Sequence, residues 1–230
     1  MQSFGYGHRC NRSISSRHRN STRSLVKGIN SDQFTTSVSS GFLIDESRSE
    51  FIQARFVEKD EIKESFLDPF GNKTEGTRIQ YTQVEFRLQR QAPQLEIYNA
   101  PRQINAFLNR LGEFTRGAAA IYSPEISVDS WLRALNKEAT SLATIGAIIS
   151  DLELGDSVIA KAALTGDQDV RKYVNLIANG RKYRLVQARV KVIFENVEAK
   201  FTINPESRLT ITSGEDGVES SLRSCLKAIL

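Results

Sequence analysis

From residue 184 to residue 192 the chain alternates. Leu185, Val186, Ala188, Val190 and Val192 interleave with Arg184, Gln187, Arg189 and Lys191. A period of two places alternate side chains on opposite faces of a strand, one buried and one solvated. Phe201-Thr202-Ile203 and Leu209-Thr210-Ile211 predict two more strands, joined through Asn204-Pro205-Glu206-Ser207. Val218, Leu222, Leu226 and Ile229 then fall at helical spacing, predicting an amphipathic helix over 218–230. The order is strand, strand, strand, helix.

A similar succession stands earlier. Residues 38–44 and 51–62 predict strands, and Val84, Phe86 and Leu88 give the apolar face of a third. Ala92-Pro93 turns the chain into Leu95-Glu96-Ile97-Tyr98. Asn99 is placed to cap a helix with Pro101 in its first turn and Ile104, Phe107, Leu108 and Leu111 on one side, ending at Gly112. Set beside the C-terminal stretch, this reads as a pseudo-repeat of a β-hairpin followed by a helix. Accidental recurrence of a common unit explains the likeness equally well.

Between the two, residues 116–179 read as mainly helical. Ser127 or Asp129 caps a helix in which Trp131, Leu132, Leu135, Ala139, Leu142, Ile145 and Ile149 recur every three or four positions. A shorter helix spans 167–179, and residues 158–164 fit strand or helix. Trp131, the single tryptophan, reads as core or interface. The expected class is α+β: antiparallel sheet with helices on one face, a helical central segment, and the hairpin-helix pseudo-repeat. The expected division is a disordered basic tail at 1–31, a β-rich and helical unit at 32–115, the central segment at 116–179 and a second unit at 180–230. Residues 32–230 would form one compact domain.

Charge changes this picture at one end. Residues 1–31 hold Arg9, Arg12, Arg17, Arg19, Arg23 and Lys27 and no acid, so a chain of net charge +4 carries −2 over the remainder. Such a stretch, poor in large apolar residues, is expected to stay mobile when free. Three readings of it compete: an arm for nucleic-acid phosphates, an organelle transit peptide, and a solvated tail without a role. No apolar core follows the early charges, against a secretory signal, and no run of eighteen apolar residues suggests a membrane span. Two cysteines, Cys10 and Cys225, do not make a disulfide framework and suit a reducing, intracellular setting.

Candidate chemistry is sparse. His8 and His18 both lie in the basic stretch, so the body offers no histidine as base or zinc ligand, and neither phosphate-loop motif occurs. No catalytic residue, metal or cofactor is therefore assigned. Glu61-Ile62-Lys63 and Glu198-Ala199-Lys200, with Asp45 or Glu50 upstream, match the carboxylate-x-lysine spacing of magnesium nucleases. Such triplets recur by chance where a quarter of residues are charged. A denser signal is Arg171, Lys172, Arg181, Lys182, Arg184, Arg189 and Lys191 with Tyr173 and Tyr183 among them, to which Arg87 and Arg90 could add. Cations with interspersed aromatics suit phosphate and base contacts.

The expected function is a non-catalytic module that binds nucleic acid or serves in a nucleic-acid-handling complex. Its binding residues would be the arginines of the tail and the 171–191 cluster. The alternatives are a protein-interaction subunit of an oligomeric assembly and a magnesium-dependent nuclease. Scattering of these cations over separate surfaces, each matched to its own carboxylate, would overturn the first.

Overall fold

The computed structural model describes residues 7–16, 21–67, 69–91, 94–117, 119–195, 197–205, 208–214 and 218–229. Arg17, His18, Arg19, the Ala92-Pro93 turn and Glu206-Ser207 lie outside them. The class is α+β with antiparallel sheets. The chain divides into two compact units. One comprises Ile14–Arg90 and Ile97–Ile121; the other comprises Met1–Ser13, Gln91–Glu96 and Tyr122–Leu230.

The first unit opens with helix α1 (Ser21–Ser31). Three antiparallel strands follow: β2 (Ser40–Ser47), β3 (Phe51–Leu67) and β4 (Lys73–Gln89). Strand β5 (Leu95–Tyr98), whose Leu95 and Glu96 belong to the second unit, helix α2 (Asn105–Phe114) and the short strand β6 (Ala119–Tyr122) complete the run. Alternation decides which face is covered. Ile52, Ala54 and Phe56 of β3 and Val84, Phe86 and Leu88 of β4 are buried, while the residues between them are not. Phe42, Phe56, Phe86 and Phe107 form a ring-on-ring cluster with centroids 4.8–5.9 Å apart, each contact adding to the burial of apolar area. Gly28 of α1 lies so close to the Phe114 ring that a Cβ there would overlap it. The β3–β4 register runs unbroken from Phe51↔Gln89 to Leu67↔Lys73, but burial ends near Val57. The distal half of this hairpin is solvated on both faces.

In the second unit, helix α3 (Val128–Glu138) leads into β7 (Ser141–Gly155) and β8 (Val158–Thr165). Helix α4 (Arg171–Ala178) follows, then β9 (Arg184–Phe194), β10 (Val197–Ile203), β11 (Arg208–Gly214) and α5 (Val218–Ile229). The strands lie in the order β8-β7-β9-β10-β11, all antiparallel. Trp131, Leu132 and Leu135 of α3 pack with Leu222, Cys225 and Leu226 of α5 over Val190, Val192, Phe201 and Ile203. Trp131 is thus core. Val174 and Ala178 of α4 extend the layer over Ile149 and Leu152, with Leu185 touching both clusters. The helices therefore share one face of this sheet.

Three expectations change. Strand β1 (Gly7–Ser16) and α1 occupy most of the stretch expected to be disordered. Gly7↔Ile211 and Arg9↔Leu209 are partners across β1 and β11, and Leu25 and Ile29, four apart on α1, are fully buried. The central helix stops at Glu138, and the segment carrying Leu142, Ile145 and Ile149 is strand β7. Ser127 does cap α3, accepting a hydrogen bond from Ser130 N at 3.1 Å. Asn99 is not the cap of α2: the helix begins at Asn105 after Ile104, and Asn99 sits at φ 45° in the loop before it.

The likeness between the two runs of elements is longer than hairpin-helix. In chain order, α1-β2-β3-β4-β5-α2 corresponds to α3-β7-β9-β10-β11-α5, with β8 and α4 inserted after β7. Helices α1 and α2 contact each other, as do α3 and α5.

Candidate functional site

The described sequence-predicted cations are spread over several elements of both units. Arg9 and Arg12 lie on β1 and Arg23 on the exposed side of α1. Arg87 and Arg90 belong to the first unit, where Arg87 stacks on the Phe51 ring at 3.5 Å. Arg171, at the start of α4, is held by Asp169, which accepts from its backbone N at 2.9 Å and from its Nη2 at 2.5 Å. Burial pushes the Asp169 carboxyl up, but the Arg171 hydrogen bonds and charge outweigh it and hold the group below the ordinary aspartate range. Lys172 sits over the Tyr173 ring at 4.8 Å. Arg181 and Lys182 are exposed in the turn after α4. Arg184 donates to Asp151 at 2.7 Å and lowers its pKa. Arg171 and Arg184 are thereby matched to their own carboxylates, which removes them from a polyanion site.

Arg189 and Lys191 behave differently. Their neighbours Ala188, Val190 and Val192 are buried under α3 and α5, so period-two geometry turns Arg189 and Lys191 to the other, open face of the sheet. The β9–β10 register then supplies companions. Lys191 is the Cα partner of Lys200, and Arg189 of Thr202. Across the next pair, Lys200 faces Ser213 and Thr202 faces Thr210. Glu198 is the carboxylate of this patch, taking Lys191 at 2.9 Å and Lys200 at 3.7 Å. The Lys191 hydrogen bond lowers the Glu198 pKa against the opposing effect of burial, and the charges of Lys191 and Lys200 lower it further. Arg189, Lys191 and Lys200 thus stand on adjacent strands against one carboxylate, among threonine and serine hydroxyls.

Lys200 and Thr202 as members of this face were not assigned from sequence. Their signal was present: Ala199, Phe201 and Ile203 are the buried set of β10, so Lys200 and Thr202 point the other way. What the sequence lacks is the register joining them to β9.

The carboxylate-x-lysine pairs are occupied by short-range ion pairs. Glu61 lies 3.7 Å from Lys59, Glu198 bridges the two lysines, and Asp45 grips Arg55 through Nε at 3.1 Å and Nη2 at 2.7 Å. Among the described residues no three of His, Cys, Asp and Glu come together as a metal-holding set. Among them, too, no helix is long and apolar enough to cross a membrane. The chain matches no protein-family model and no curated protein.

Proposed function

We propose that the chain is a non-catalytic α+β module that binds nucleic acid on the open face of the β7-β9-β10-β11 sheet, as a component of a nucleic-acid-handling assembly. The observation that carries this is the meeting of Arg189, Lys191 and Lys200 on neighbouring strands, with Glu198 shared by the two lysines and no carboxylate on Arg189 among the described residues. A sheet fixes cation spacing, and cations so fixed track phosphates, while threonine hydroxyls donate to the same oxygens.

The test is an electrophoretic mobility series against single- and double-stranded DNA and RNA at 50 and 200 mM salt. Three phosphate contacts on a duplex give a log–log salt slope of about −2.7, a fall of about 40-fold over that range. Lys191→Ala with Lys200→Ala should flatten the slope to about −0.9. No binding at the lower salt discards the reading. Deleting residues 1–31 is no clean test, since it removes β1 and the buried Leu25 and Ile29.

A second reading, a subunit that docks protein partners or copies of itself, is favoured by the apolar side chains on the distal β3–β4 hairpin, argued in the Discussion.

A further inference from the structure

We propose that Arg189 and the pocket around it seat a single phosphate group. This rests on the nucleic-acid reading and specifies where on the open face a phosphate is held.

Thr165, Gly146, Arg189, Thr202 and Thr210 are successive Cα partners on β8, β7, β9, β10 and β11, one row across five strands. Gly146 is the gap in that row. A Cβ there would stand 3.2 Å from Arg189 Nε and 3.4 Å from Nη2, so the guanidinium lies across the glycine. Nη2 reaches Thr165 Oγ1 at 3.5 Å, the outer limit of a hydrogen bond and the group's only one among the described residues. Nε is buried with no partner.

Guanidinium carries five donors and no acceptor, and unmet buried donors are costly. Five other arginines meet this need with carboxylates: Asp45 for Arg55, Asp32 for Arg110, Asp169 for Arg171, Asp151 for Arg184, Glu96 for Arg223. The Nε atom of Arg87 is also buried without a hydrogen bond, and that guanidinium stacks on the Phe51 ring. Arg189 has no carboxylate among the described residues. The pocket beside it is shallow, about 210 Å³, and its lining includes Ile148, Thr165, Gln187 and Thr202 but no acid. Sites for drug-sized ligands run from about 300 to 1,000 Å³, so this one suits a single small group. A guanidinium edge takes two oxygens of a tetrahedral oxyanion, and the hydroxyl and amide donors suit a third. Lys191 and Lys200 raise the local positive potential that draws such a group in.

The phosphate could be internal to a strand, terminal, or free, and the experiment separates these. Fluorescence anisotropy would follow a short single-stranded oligonucleotide, with and without a 5′-phosphate, binding to the full chain. Inorganic phosphate serves as competitor and, by calorimetry, as direct ligand. The variants are Arg189→Lys, which keeps the charge but loses the fork, and Gly146→Ala, which displaces the guanidinium. Each should weaken oligonucleotide binding about 10-fold or more at unchanged melting temperature. A preference for the 5′-phosphorylated strand assigns the terminal group, and equal binding assigns an internal one. If Gly146→Ala fails to fold, Arg189→Lys decides alone. Wild-type affinity in Arg189→Lys, with Lys191→Ala and Lys200→Ala weakened, overturns the pocket and leaves the face reading standing. If wild type binds no oligonucleotide, the face reading falls; saturable binding of inorganic phosphate that Arg189→Lys abolishes then sustains the pocket, and its absence overturns both.

Discussion

Arg223 of α5 donates through Nε to both carboxylate oxygens of Glu96, at 3.0 Å each, and ties the start of β5 to the C-terminal helix inside the second unit. Glu96 is 2% exposed and the Arg223 side chain 19%. A carboxylate so deep carries a large desolvation penalty, which the Arg223 charge and its two hydrogen bonds help to offset. Arg223→Ala should therefore lower the unfolding free energy by about 3–5 kcal/mol. Replacing both partners, Glu96→Leu with Arg223→Met, should restore much of that loss, since well-packed apolar residues often substitute for a buried pair at little cost. Urea unfolding of the two variants measures it. A single variant as stable as wild type would show that the pair stabilises nothing.

The elements legible in the sequence are those with one dry face and one wet face. On β9 and β10, buried Val190, Val192 and Phe201 alternate with Arg189, Lys191 and Lys200, and period two survives. Strand β7 hides its nature. Register shifts between Thr144 and Gly146 and between Ile148 and Ile149 break its alternation, so that Thr144, Gly146, Ala147 and Ile149 are buried, while Leu142, Ile145 and Ile149 stand three and four apart as on a helix. Helix α1 is hidden by the basic character of residues 1–31: among its described residues Leu25 and Ile29 carry the buried contact, too few to stand out in a stretch with six cations and no acid. Of the site, Arg189 and Lys191 could be read from alternation. Gly146 could not, because its partnership with Arg189 exists only after a bulge has set the register.

Cys225, on α5 among Trp131, Leu132 and Leu222, is a second point where burial controls chemistry. Burial, followed by the nearby Glu138 charge, pushes its thiol up to about 11. Only the thiolate reacts readily, so the folded protein at pH 8 should leave Cys225 unmodified by iodoacetamide, with labelling after unfolding in urea. The sign of the stability effect follows. Unfolded, the thiol ionises near pH 8.5; folded, it holds its proton to about 11. Between these values the unfolded state binds fewer protons, so stability falls as pH rises through the window. Cys225→Ala should flatten that alkaline loss. Rapid labelling of Cys225 in the native protein, seen by peptide mass analysis, would contradict its placement in the core.

The distal β3–β4 hairpin poses the remaining question. Phe66 and Leu67 are 57% and 75% exposed, and Ile79 on the opposing strand is exposed as well. The charges among them are mostly spent on one another, Arg78 with Glu64 and Lys73 with Glu75, so the hairpin has little net field for a polyanion. Single exposed apolar residues are ordinary, but Phe66 and Leu67, consecutive on β3, point to opposite faces, with Leu67 on the face of Ile79, and we propose that another protein covers this end of the hairpin. Burying two such side chains would contribute about 3–6 kcal/mol to association. Phe66→Ser with Leu67→Ser removes that gain and no intramolecular core contact, so the melting temperature should stay within about 2 °C of wild type. Light scattering should then show wild type self-associating as concentration rises and the variant monomeric. If wild type is itself strictly monomeric, self-association is discarded, and co-purification that the variant loses becomes the measure of a different partner. If the variant instead melts well below wild type, Phe66 and Leu67 serve the fold of their own chain, and the docking reading fails.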